Sequence, residues 1–150
     1  MIRRLAAALC IALASTPPAW AAPLIDQTDD PTRRAAIDGA HRQMATCTAF
    51  FLITAEGIPP TAANRPALAR LRAAGDALIG SMLRLQAESV TRARVEAERQ
   101  FLMLVMGGGF AGYPRLREAF DEPCEAMAAD PQGHVDRWLA GERPENPTGK

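Results

Sequence analysis

Apolar residues recur along most of this chain at intervals of three and four, the period of a helix that buries one side. The first clear stripe is Ile37, Ala40, Met44, Cys47, Phe51 and Thr54. It follows Asp30-Pro31, a carboxylate able to cap free amides and a proline where no donor is needed. Gly57 and Pro59-Pro60 end it. Phe50, Phe51, Leu52 and Ile53 make its second half apolar nearly all round, which predicts the most buried part of the fold there.

A second helix is expected to begin after Thr61 or Asn64, with Pro66 in its first turn, and to carry Leu68, Leu71, Gly75, Leu78, Met82 and Leu85. Gly75 costs such a helix about 1 kcal/mol relative to Ala, which predicts a neighbouring helix passing close by. The stripe loses phase at Ser89-Val90-Thr91, and a third set appears in Val95, Leu102, Val105 and Met106. One straight helix over 65–107 would run about 65 Å. That is awkward in so short a chain, so a break or sharp kink near Ser89 is expected.

Gly107-Gly108-Gly109 stops this run. Beyond Tyr113-Pro114 lie Leu116, Phe120, Cys124 and Met127, with Pro123 expected to split or kink the segment and Asp121 to cap its second piece. Asp130-Pro131 starts a last helix with Val135, Trp138 and Leu139, closed by Gly141. No alternating strand pattern and no internal repeat is visible. The fold class is therefore all-α: a small helical domain of four to six helices.

The two ends read differently. Residues 1–21 hold Arg3-Arg4, an apolar run from Leu5 to Ala14, Ser15-Thr16-Pro17-Pro18 and Ala19-Trp20-Ala21. That is the order of a cleaved export signal, with cleavage expected between Ala21 and Ala22. The apolar run is about half the roughly 20 residues a membrane span needs, so no retained anchor is expected. A twin-arginine signal would have a longer polar lead before Arg3-Arg4. A lipid anchor on Cys10 would need Leu three positions earlier, where Ala7 stands. The expected destination is the periplasm of a bacterium, or secretion. Residues 22–29 look like a flexible lead-in, 30–141 like a single helical domain, and 142–150 like a disordered tail.

Composition changes once the leader is set aside. The 150 residues carry 17 basic and 17 acidic side chains. From residue 22 onward the balance is 15 against 17, a net charge of −2. A nucleic-acid binder would show a basic excess, and 5% aromatic residues is low for a stacking platform. The length fits one domain. Three cysteines become two, Cys47 and Cys124, and an even pair in an exported chain is most simply a disulfide. It would tie the first long helix to the C-terminal helical segment across a separation of 77 residues, for roughly 4 kcal/mol by loop-closure entropy. No Cys-x-x-Cys exchange motif or Cys-x-x-Cys-His haem motif is present.

Candidate chemistry is thin. Residues 107–112, Gly-Gly-Gly-Phe-Ala-Gly, match the dinucleotide pattern G-x-G-x-x-G but follow a helix rather than a strand, so a helix stop beside a mobile loop is expected. His41, Met44 and Cys47 are soft-metal ligand types at i, i+3 and i+6, a spacing that spreads them round the helix, and no metal is expected there. His134 reads as a surface residue. Glu96 and Glu98 diverge by about 200° on a helix and cannot share a substrate; Arg92–Glu96 and Arg94–Glu98 pairs on a solvated face are expected instead. No G-x-S-x-G occurs. Neither an enzyme nor a cofactor is expected.

The least ordinary segment is Phe101, Leu102, Met103, Leu104, Val105 and Met106, six consecutive apolar residues and more than one helix face can bury. With Phe110 and Tyr113 it is the candidate interaction surface, for an unidentified protein partner or for self-association. The expected function is a non-enzymatic protein-binding or scaffolding module. The alternative is a small-ligand or metal-binding helical protein with a pocket lined by Met and Phe. Complete burial of residues 101–106 within one chain would remove the main support for the first.

Overall fold

A computed structural model describes residues 22–142. The expected leader, its cleavage site and all but the first residue of the expected tail lie outside the described residues. Those described form five α-helices: α1 (Pro31–Glu56), α2 (Arg65–Leu85), α3 (Glu88–Val105), α4 (Tyr113–Ala129) and α5 (Pro131–Leu139). No strand occurs among them.

The helices begin where local chemistry starts them. Asp30 accepts from the Thr32 amide (2.9 Å) ahead of Pro31. Asp130 accepts from the Gly133 amide (2.9 Å) ahead of Pro131. Asn64 precedes α2 without capping it through its side chain; its amide nitrogen donates to the Pro59 carbonyl instead. Residues 65–107 divide into two helices. The break falls at Gln86-Ala87, slightly ahead of the expected site, where Gln86 is fully extended (φ −140°, ψ 159°).

Cross-helix pairs give the topology. Asp38 meets Arg94, Thr46 meets Glu98 and Glu56 meets Arg99, rising together, so α1 and α3 run parallel. Thr54 meets Tyr113, Cys47 meets Cys124 and Gln43 meets Trp138, so α4 and α5 run back down α1. With α2 between α1 and α3 in sequence, the four long helices go up, down, up and down. α1 is the central post. Every residue from Gln43 to Phe51 is buried, while Leu52, expected to be enclosed, surfaces. The core gathers Ile37, Met44, Phe50 and Ile53 of α1 with Leu78 and Met82 of α2, Leu102 of α3 and Phe120 of α4. The Phe50 and Phe120 rings stack with centroids 5.8 Å apart.

The disulfide is present. Cys47 and Cys124 are joined with Cα atoms 5.2 Å apart, tying α1 to α4. Such a bond fits an oxidising compartment. No helix among the described residues is long and apolar enough to cross a membrane.

Four local expectations need correction. The lead-in is not loose: Leu24–Gln27 wind one 3-10 turn, and Leu24 and Ile25 pack against the core, because two apolar side chains suffice to hold it down. Pro123 does not split its segment. α4 is continuous through it, since Phe120, Cys124 and Met127 are held in the core and a disulfide anchors the next residue. Asp121 accordingly caps nothing; it pairs with Arg117 at 2.9 Å. Gly75 is buried, yet a Cβ there would meet nothing within 4 Å. The close approach falls at Gly39, where a Cβ would collide with the Trp138 ring.

Candidate functional site

α3 positions the candidate surface, and its two apolar stripes explain why that surface splits. At about 100° per residue, Thr91, Val95, Leu102 and Met106 share one side of α3, and this side faces the core. Of the predicted residues, Leu102 is fully buried and Met106 nearly so, which removes both from the surface. Met103 and Tyr113 are half-buried. The remaining four are open to solvent: Leu104 is 75% exposed, Val105 60%, Phe101 48% and Phe110 47%. A helix has one core-facing side, and six consecutive apolar residues cannot all point to it.

Sequence reading missed how far this outer face extends. Val90, Ala93 and Ala97 are exposed too, and with Phe101 and Leu104 they form a solvent-facing stripe spaced 3-4-4-3. The signal was present in that spacing, but alanines score weakly as apolar positions and the stripe opposes the core-facing one. Between them the two stripes give α3 apolar residues on both sides and charge only along its flanks.

Those flanking charges are answered inside the chain. Arg94 Nη1 lies 2.6 Å from Asp38 Oδ1, Arg99 Nη2 lies 2.9 Å from Glu56 Oε2, and Arg92 Nη2 lies 2.6 Å from Glu88 Oε1. Glu98 Oε2 lies 3.0 Å from the Thr46 hydroxyl. The expected Arg92–Glu96 and Arg94–Glu98 pairs are not made, because Asp38 and Thr46 of α1 take Arg94 and Glu98, and Glu88 takes Arg92.

The loop after α3 is built rather than loose. Gly107 and Gly108 adopt φ of 78° and 76°, a conformation few other residues hold. They return amides to the Leu104 and Met103 carbonyls (both 2.9 Å), closing the helix end as a Schellman motif. Phe110 then rests against Gly57, and the Tyr113 hydroxyl donates to Thr54 Oγ1 at 2.9 Å. Of the glycines in the G-x-G-x-x-G match, Gly107 stops the helix together with Gly108, and Gly112 lies where a Cβ would collide with the Met106 backbone; no strand among the described residues leads into them.

The metal-ligand types of α1 are committed elsewhere. Cys47 is in the disulfide and Met44 is in the core. Buried His41 uses both ring nitrogens, Nε2 at 2.9 Å from Thr91 Oγ1 and Nδ1 at 3.2 Å from Arg94 Nη1. Burial first, and then the Arg94 charge, lower its pKa to about 4, against a smaller opposing effect of Asp38. His134, expected at the surface, is buried, and its Nε2 has no hydrogen-bond partner. Burial, with a smaller contribution from Arg137, lowers its pKa to about 4. The short α5 has to lay one side on the bundle, and His134 falls on it next to Val135.

Two of the surface clefts border α1 or α3. The wider, about 920 Å³, lies between the start of α1 and the end of α5, and its Asp30, Asp38, Arg33 and Arg42 balance in charge. A groove of about 330 Å³ between α2 and α3 is walled by Ile79, Leu83, Thr91 and Val95 and rimmed by Glu88, Arg92 and Glu96. Neither is lined by methionine or phenylalanine, but a third, about 400 Å³ between α2 and α4, has Phe51 in its wall beside Leu71 and Ala74; Met44, Met82 and Phe50 lie in the core. Comparison with protein-family models, curated proteins and solved structures gives no match, so the reading of the surface rests on its own geometry.

Proposed function

We propose that this chain is an exported, non-enzymatic protein-binding module whose working surface is the outer face of α3 with the adjoining loop. The observation that carries the reading is the apolar stripe Val90, Ala93, Ala97, Phe101 and Leu104, presented to solvent on a helix whose flanking charges are already satisfied. Scattered exposed apolar residues are ordinary in soluble proteins, but an ordered row along one helix marks an interaction site. Its mode would be helix against helix or helix in groove, with Phe101 and Leu104 as anchors.

Export supports the same reading. A leader of the right order stands in residues 1–21, and the Cys47–Cys124 bond needs an oxidising destination, the bacterial periplasm or the medium. Intact-mass measurement of the exported protein should give a chain beginning at Ala22; a chain retaining Met1 would contradict it.

The binding reading is tested by affinity capture from the exported compartment with wild type and Leu104→Glu side by side. Leu104 is open to solvent, so the substitution should leave the melting curve unchanged while abolishing retention of bound protein. Equal retention by the two would overturn the assignment of the surface.

A further inference from the structure

We propose that the occupant of this face is a second copy of the same chain, paired antiparallel through α3 about a two-fold axis at Ala97. The inference rests on the reading of the face as a protein-binding surface and adds what covers it. Val90, Ala97 and Leu104 are seven residues apart, the spacing that keeps a contact seam in line along a helix. Ala93 and Phe101 stand four residues to either side of Ala97. An antiparallel two-fold at Ala97 sets Val90 against Leu104, Ala93 against Phe101, and Ala97 against itself.

Each large side chain then meets a smaller one, and the helices approach most closely at the alanine pair, as a self-complementary two-fold contact requires. Parallel pairing works less well. It would crowd Phe101 on Phe101 and Leu104 on Leu104 at one end, and leave Ala93 facing Ala93 across a gap at the other.

Charge points the same way. Among the described residues, no ionisable side chain lies within the stripe; Arg94, about 60° round the helix from Ala97, is paired with Asp38, and Glu96, about 100° to the other side, with Arg99. A strongly acidic or basic partner would find nothing to answer it, whereas a second copy brings an equally neutral face. The size of the face sets the strength. A strip about 21 Å long and about 10 Å wide is well below the roughly 800 Å² that each side of a standard interface contributes. The dimer is therefore weak and concentration-dependent, and it does not depend on opposite charges at the seam.

Sedimentation equilibrium of the protein with its disulfide intact, over a range of concentrations, tests this. Wild type should show a mass rising from monomer toward dimer. Ala97→Glu and Ala97→Lys each place like charges on the axis and should raise the dissociation constant by at least about tenfold. Because residue 97 meets itself, an equimolar mixture of the two variants should restore the dimer. Ala97 is exposed, so matching melting curves for all three proteins confirm that folding is not at issue. Wild type that stays monomeric throughout, or variants that associate as wild type does, would overturn the inference. Loss of dimer without restoration in the mixture would overturn the two-fold at Ala97. A monomeric wild type whose Leu104 still attaches to another protein would sink the second copy alone; no attachment of any kind would sink the reading of the face as well.

Discussion

Arg94 Nη1 stands 3.2 Å from His41 Nδ1, and since a guanidinium can only donate, that ring nitrogen must be the acceptor. The proton of His41 is thereby placed on Nε2, facing Thr91 Oγ1 at 2.9 Å. The same Nη1 is held 2.6 Å from Asp38 Oδ1. A neutral histidine thus joins α1 to both ends of a turn of α3, and a second proton on it would face Arg94 directly.

Stability should therefore depend on pH in a defined direction. His41 and His134 each have a pKa of about 4 in the folded chain against 6.5 for an unburied histidine. The unfolded chain binds these protons more readily, so the stabilisation is complete above pH 6.5 and is lost as pH falls toward 4. Each histidine accounts for at most on the order of 3 kcal/mol over that window. Urea unfolding at pH 7, 6, 5 and 4.5 should show a falling midpoint; a flat profile would contradict the burial of both rings.

The two histidines should respond in opposite ways to removal. His134→Leu deletes an unpartnered buried nitrogen and should leave stability at pH 7 unchanged or raise it, by up to about 1–2 kcal/mol. His41→Leu removes the partner of the buried Thr91 hydroxyl and one of the two acceptors of Arg94, Asp38 being the other, and should lower it by roughly 1–3 kcal/mol. Urea midpoints of the two variants at neutral pH compare them directly, and equal losses would mean that His134 is partnered.

Two glycines provide a second contrast. Gly39→Ala drives a methyl group into the Trp138 ring and threatens its hydrogen bond to Gln43 Oε1 (3.1 Å), so it should destabilise by roughly 1–3 kcal/mol. Gly75→Ala meets open space within a helix and should stabilise by about 0.5–1 kcal/mol. Thermal melts of the pair should shift in opposite directions.

Removing the disulfide should cost the fold up to roughly 4 kcal/mol, the loop-closure value for a separation of 77 residues. Cys47→Ala with Cys124→Ala, compared with wild type by urea unfolding, reads this out. An unchanged midpoint would mean that the bond does not form in the protein.

Much of the fold was legible in the sequence because it rests on local rules. Asp-Pro starts place α1 and α5, glycine stops and the 3-4 stripes mark the stretches that hold α2, α3 and α4, and two cysteines beyond the expected leader imply their bond. What failed was decided by packing. Pro123 looks like a breaker only until the core holds Phe120 and Met127 on either side of it. Gly75 looks like a contact point, but the tryptophan that needs a glycine lies on α5 and rests on Gly39, 99 residues away in sequence. His134 looks polar and therefore external, yet the nine-residue α5 has few side chains with which to lie down on the bundle. The surface was half legible. A run of six apolar residues announces an excess, but which of them face outward depends on the side of α3 that α1 covers, and Val90, Ala93 and Ala97 lie outside the run.

The claim that the outer face of α3 is covered by protein is tested most directly by a photo-crosslinking residue placed at Leu104 in the producing cell, with Ala69 on the exposed side of α2 as the control. A discrete crosslinked product from position 104 and none from position 69 is the predicted result. No product from position 104, or the same products from both positions, would contradict it.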